Sequence, residues 1–205
     1  MRVLVACEHS GTVREAFSKL GHDAWSCDLL PTDIPSEKHY QGDVFDIIND
    51  GWDLMIAHPP CTYLSNAGAA RLYPQKGVLN QERYQKGLLA KEFFLKLLNA
   101  NISLIAVENP IASTIYELPK YTKIIQPFEF GHPYSKKTCL WLKGLPKLKP
   151  TKIITDNIIS WVSGGSKDHK GNPRKQSGTK FRDSKTKSKT FQGIAEAMAE
   201  QWSSL

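Results

Sequence analysis

The sequence predicts a doubly wound α/β fold with a mostly parallel sheet. Short apolar strands alternate with amphipathic helical stretches through the first hundred residues, tight turns join them, and acids, a thiol and a glycine turn gather where the strands end. Residues 2–7 read as the first strand. Thr12-Val13-Arg14-Glu15 reads as a capping box, opening a helix with Val13, Ala16, Phe17 and Leu20 on one face and Gly21 at its C′ position. Residues 23–28 and 52–57 form further strands. A long helix over 80–99 groups Ala90, Phe93, Phe94 and Leu97, and a buried strand follows over 102–107.

After Pro110 the pattern changes. Ile124-Ile125 and residues 138–142 suit an antiparallel edge, and an apolar island at 153–162 interrupts a stretch rich in Pro, Gly and Lys. A last helix places Ile194, Ala197, Met198 and Trp202 on one side. Trp52, Trp141 and Trp202 are simplest as core residues. No repeat and no domain boundary shows, so residues 1–205 read as one domain, with 163–190 a basic insertion before the final helix.

Length and composition narrow the class. The 205 residues suffice for one ordinary domain with a buried core. Uninterrupted apolar runs, 54–57 and 104–107 among them, span only a few residues, too short to cross a bilayer. The N-terminus lacks the pattern of a signal peptide. Four cysteines, at 7, 27, 61 and 139, show no CxxC spacing, which argues against a disulfide framework or zinc knuckle and for a reducing, cytoplasmic setting.

The net charge is +7, from 27 Lys and Arg against 20 Asp and Glu. Residues 163–190 carry nine basic and two acidic side chains, an excess as large as that of the whole chain. Lys167, Lys170, Arg174, Lys175, Lys180, Arg182, Lys185 and Lys187 are therefore candidate contacts to a polyanion such as DNA. A solvated loop is the plain alternative.

In an open α/β sheet, ligands bind beyond the carboxyl ends of the strands. Five ends supply candidates here: Glu8-His9-Ser10-Gly11, Asp28, Gly42-Asp43-Val44, His58-Pro59-Pro60-Cys61 and Glu108-Asn109-Pro110. An acid after the second strand suits a ribose diol, although Asp is also ordinary turn chemistry. Asp43 suits a ligand or the cap of a helix starting near Val44. Cys61, fixed by two prolines, is either a nucleophile or a small buried side chain. Glu108 is its natural acid–base complement.

Pro59-Pro60-Cys61, then Glu108-Asn109-Pro110, then Phe130-Gly131-His132-Pro133-Tyr134-Ser135-Lys136-Lys137-Thr138, in this order, resemble three motifs of DNA cytosine-5 methyltransferases. Residues 131–151 and 191–199 look like the small phage and prophage members, which places the chain near restriction–modification. The resemblance implies a Rossmann-like methyltransferase fold, S-adenosylmethionine as donor and a flipped-out cytosine in DNA as acceptor. It implies that Cys61 attacks C6 while Glu108 holds or protonates N3, that Asn109 orients the loop, and that Lys136 or Lys137 contacts the base carbonyl or a phosphate. Glu8, Ser10 and Gly11 would line the methionine end of the donor, with Pro59 also at the donor site, Asp28 at the ribose and Asp43 at the adenine amino group.

The chain departs from the family at several points. Its first motif lacks a second glycine, Lys replaces Arg in the third, and only about fifty residues lie between Thr138 and the last helix, where the family has a target-recognition domain. An accessory protein supplying specificity is one way to fill that gap. Three other readings remain: an amino-methyltransferase acting on adenine N6 or cytosine N4, an inactive methyltransferase-fold protein serving as a phage anti-restriction factor, and a metal site from His58, Cys61, His132 and Cys139. The expected metal content is none.

Overall fold

A computed structural model describes residues 1–69, 71–161 and 188–203. Seven strands form one sheet: β1 (Arg2–Ala6), β2 (Asp23–Asp28), β3 (His39–Gln41), β4 (Leu54–Ala57), β5 (Leu104–Pro110), β6 (Lys123–Ile125) and β8 (Thr138–Lys143), in the order β3-β2-β1-β4-β5-β8-β6. The first five run parallel, and β8 lies antiparallel to both β5 and β6. This is the doubly wound, mostly parallel sheet that the sequence predicts, with the antiparallel edge where the pattern changes. A small second sheet pairs β7 (Tyr134–Ser135) with β9 (Ile159–Ser160), inside the apolar island.

The sheet is buried on both faces, which explains why its strands read as apolar runs. Alternate residues separate cleanly. Val3, Val5, Leu54 and Ile56 join the core beneath α1 (Thr12–Lys19) and the C-terminal helix α4 (Gln192–Trp202). Leu4, Ala6, Met55 and Ala57 join the core beneath α3 (Gln81–Leu98). A short helix, α2 (Asn66–Ala69), follows the loop after β4. Trp52, Trp141 and Trp202 are all buried. Among the described residues, no helix is long and apolar enough to cross a membrane.

Three local expectations need correction. The capping box at Thr12–Glu15 does not form. Gly11 is the N-cap of α1, at φ 73°, with no side-chain cap of its own, and Glu15 instead pairs with Arg14. A Cβ on Gly11 would lie 2.8 Å from the Arg14 guanidinium, so glycine is required there on both counts. Leu20 is 48% exposed because α1 ends at Lys19, leaving Leu20 as its C-cap, while Gly21 follows at φ 84° as expected. In α3, Phe94 and Leu97 enter the core but Ala90 and Phe93 turn to a cavity at the sheet's edge.

The C-terminal helix docks through a glycine contact. A Cβ at Gly193 would sit 2.0 Å from the Phe130 carbonyl oxygen, and the Gly193 N–H donates to His132 Nε2 at 3.0 Å. Backbone cannot rotate aside as a side chain does. Gly193→Ala is expected to lower stability by about 1–3 kcal/mol, read as a lower urea midpoint at unchanged slope.

Candidate active site

Strand order reverses between β1 and β4, and the carboxyl ends of the five parallel strands share one rim. A cavity of about 470 Å³ opens at this switch point. Cys7, Cys27, Asp28 and Asp43 form its strand-end wall, Pro60 and Tyr63 its side, and Lys86, Leu89, Ala90 and Phe93 of α3 the opposite wall. Asp28 Oδ1 accepts the Leu30 N–H at 2.9 Å, and Asp43 Oδ1 accepts the Phe45 N–H at 3.0 Å, capping the 3-10 turn Val44–Asp46. The capping role considered for Asp43 is observed, and the residue also lines the cavity. Burial, reinforced by Asp28, raises the Cys7 thiol and pushes that of Cys27 up to about 12, so both sulfurs stay neutral and the carboxylates supply the wall's negative charge.

The turn after β1 is built by its own buried groups. Cys7 adopts φ 58°, a region non-glycine residues seldom enter. Glu8 is buried, and its carboxylate accepts from the N–H groups of Val13 (2.7 Å) and Arg14 (3.2 Å) and from Ser10 Oγ (3.1 Å). An anion on the open N–H groups of a helix start is favourable. Glu8, Ser10 and Gly11 therefore shape the start of α1, and Cys7 is the residue of this turn that lines the cavity. Pro59 is likewise buried, and Pro60 meets the cavity in its place.

Cys61 and Glu108 come together because β4 and β5 are hydrogen-bonded neighbours, with Ala57 opposite Val107. The loops beyond them are laced to each other: Asn66 N–H donates to Ile111 O at 3.0 Å and Ser113 N–H to Leu64 O at 2.7 Å. Arg83 holds the loop after Cys61 from α3, donating to Thr62 O (3.2 Å) and Gly68 O (3.0 Å) with its guanidinium 4.9 Å from the Tyr63 ring centroid. Pro110 pairs with Thr138, which draws Lys136 and Lys137 to the same rim. Asn109 is buried and donates through Nδ2 to Pro110 O at 2.6 Å.

The charges here act on one another. Burial raises the Cys61 thiol, Lys136 opposes that rise, and Glu108 adds to it. His58 Nδ1 lies 3.0 Å from Glu108 Oε2. Burial disfavours charge on both, yet their hydrogen bond and mutual attraction outweigh it, so His58 is held above its usual value and Glu108 below its own. Replacing Lys136 with Met removes the one cation among the described residues that lowers the Cys61 thiol. Alkylation of Cys61 by iodoacetamide is expected to slow several-fold at pH 8 and its midpoint to move upward; an unchanged profile would refute this coupling.

A second cavity of about 320 Å³ is lined by Pro110, Gln126, Ser135, Lys136, Lys137 and Ser160. The lysines thus join a concave surface beside Glu108. Lys167, Lys170, Arg174, Lys175, Lys180, Arg182, Lys185 and Lys187 lie outside the described residues. Lys189, at the end of the basic segment, pairs with Asp33 at 2.9 Å, and Asp33 in turn faces His9 at 3.9 Å.

The partners of His58 and Arg14 and the wall from Tyr63 and α3 are not visible in sequence spacing. Only the turn Asp28 to Asp43 and the helix face of Ala90 and Phe93 hint at that wall. Among the described residues, no three His, Cys, Asp or Glu side chains are arranged to hold a metal ion. His132 and Cys139 are used elsewhere, in the Gly193 contact and in the core.

No protein-family profile and no curated protein matches the sequence. Three solved structures are similar in fold. A candidate DNA modification methyltransferase encoded within an E. coli prophage is 16% identical, with TM-score 0.44, over 74% of this chain and 51% of its own. The Entamoeba histolytica methyltransferase EhMeth is 14% identical, with TM-score 0.43, over 74% and 57%. The S. pombe Dnmt2 methyltransferase is 16% identical, with TM-score 0.44, over 72% and 51%. The chain therefore spans about half the length of each.

Proposed function

We propose that the protein transfers a methyl group from S-adenosylmethionine to C5 of cytosine in DNA through a covalent adduct at Cys61. The observation that carries this is the juxtaposition of Cys61 and Glu108 at the ends of neighbouring parallel strands, with Lys136 acting on both and a cavity at the switch point beside them. The cavity suits the donor chemically. Asp28 and Asp43 offer carboxylates to hydroxyl and amino groups, and Val44, Leu89 and Phe93 offer an apolar wall to a planar base. Bound there, the donor supplies an electrophilic methyl group.

The chain's own groups do the rest. Cys61 Sγ adds to C6 of the ring while Glu108 holds N3, so charge pushed into the ring meets a proton. C5 becomes the nucleophilic carbon. Lys136 favours the thiolate and neutralises charge that develops beside it. Loss of the C5 proton restores the ring and expels Cys61. The basic residues of 163–190 would hold DNA phosphates, giving affinity that falls steeply with salt.

Mass spectrometry of nucleosides from DNA incubated with the protein and methyl-labelled donor tests the reading. Labelled 5-methylcytosine supports it. Label on adenine N6 or cytosine N4 assigns direct transfer to nitrogen instead, and no label with donor binding intact assigns the anti-restriction reading.

A further inference from the structure

We propose that His58 is the positioning residue and proton source for Glu108: its imidazole fixes the carboxyl group and passes it the proton that Glu108 gives to N3 of the target cytosine. This rests on the cytosine-5 reading above and names a residue it does not require. The placement follows from register. Ala57 and Val107 are opposite one another, so His58 and Glu108 are the next residues on adjacent strands, and Nδ1 and Oε2 meet at 3.0 Å. The His58 N–H extends the ladder to Ala6 O at 2.9 Å, which fixes the backbone that carries the ring. The two side chains are only 13% and 14% exposed, and the second ring nitrogen, Nε2, is buried with no hydrogen-bond partner among the described residues. Among the described residues, Glu108 is therefore the side chain to which the imidazole hydrogen-bonds.

A structural hydrogen bond could be made by an uncharged amide; a histidine can also release its proton. The groups that face it from each side are Glu108 on β5, Glu8 on the turn after β1 and Lys136 ahead of β8. The two acids favour the imidazolium, while burial and Lys136 oppose it, and the balance keeps His58 protonated above its ordinary range. The pair is then an imidazolium and a carboxylate. As Cys61 Sγ bonds to C6 and the C5=C6 electron pair moves toward C5, His58 Nδ1 gives its proton to Glu108, which passes that proton to N3. His58 becomes neutral, and Glu108, again a carboxylate, accepts the hydrogen bond that the N3–H now donates. After C5 has taken the methyl group and lost its proton to water, the S–C6 bond breaks and the N3 proton returns by the same two groups.

The test compares wild type with His58→Asn, whose side-chain amide retains a donor near the Nδ1 position but cannot give up a proton. Two rates are followed across pH: methyl transfer, and exchange of cytosine 5-tritium with solvent in the absence of donor. In wild type, thiolate rises with pH as imidazolium falls, so the rate is level between the two titrations and drops above that of Cys61. In His58→Asn, both rates are expected to fall about a hundredfold at neutral pH, and the profile to become a single rise with no alkaline drop. A variant with wild-type rates and profile overturns the proposal. If the variant fails to fold, ring-nitrogen NMR of His58 in wild type and Glu108→Gln decides: a downward shift of the His58 titration is expected, and an unmoved one overturns proton sharing. Wild type that neither exchanges nor methylates sinks the cytosine-5 reading with it, whereas an active wild type and an unaffected variant sink only the role of His58.

Discussion

Cys61→Ser is expected to reduce methyl transfer by roughly a thousandfold or more while donor affinity, measured by calorimetry, changes little. Serine nearly matches cysteine in shape, so the loop laced between residues 64–66 and 111–113 keeps its path. Nucleophilicity does not survive the exchange. A thiol, even one raised by burial as Cys61 is, ionises far more readily than a hydroxyl, and Lys136 already favours the thiolate. The cavity wall is made by Pro60 and Tyr63 rather than by the Cys61 side chain, which is why donor binding should persist. Retention of most activity in the serine variant would exclude covalent attack and leave direct transfer to nitrogen.

The second large effect concerns Arg14, a charged side chain buried at the start of α1. Its guanidinium donates to Ser26 Oγ at 2.8 Å, Thr32 Oγ1 at 3.2 Å and Ile34 O at 2.8 Å, and pairs with Glu15 at 3.0 Å. Those acceptors lie on β2 and on the loop after it, the loop that contributes Leu29 to the cavity. Arg14→Met keeps much of the volume but leaves the Ile34 carbonyl dependent on Thr32 alone and Glu15 without its partner. The expected loss is about 3 kcal/mol, roughly a hundredfold in the folding equilibrium. It should appear as a lower urea midpoint together with weaker donor binding. A variant as stable as wild type would show that the loop is held by His39 and Lys189 instead.

The order of elements was legible because hydrophobic period and turn chemistry are local. Residues 80–99 mark a helix that the structure closes with Asn80 and Asn99 as its caps, and the strand at 23–28 is observed over the same residues. The shared rim was legible too, since parallel strands place their carboxyl ends on one edge. Helix α1 does begin at Thr12, but the capping box read there does not form, for a physical reason: the N–H groups of Val13 and Arg14 are capped by Glu8, a residue outside the helix in the preceding turn, and no local motif encodes that contact.

The sequence by itself determined the strand and helix types, the alternation that buries both sheet faces, and the chemistry at each strand end, because those depend on neighbours within a few positions. Tertiary structure alone decided which ends are adjacent. The register of β4 against β5 sets His58 against Glu108, the β5–β8 pairing brings Lys136 to Cys61, and the packing of α3 closes the cavity with Leu89 and Phe93. These partners are separated by tens of residues along the chain. Their meeting is fixed by the sheet's long-range pairing, whose cost in chain entropy is met only when the whole core forms.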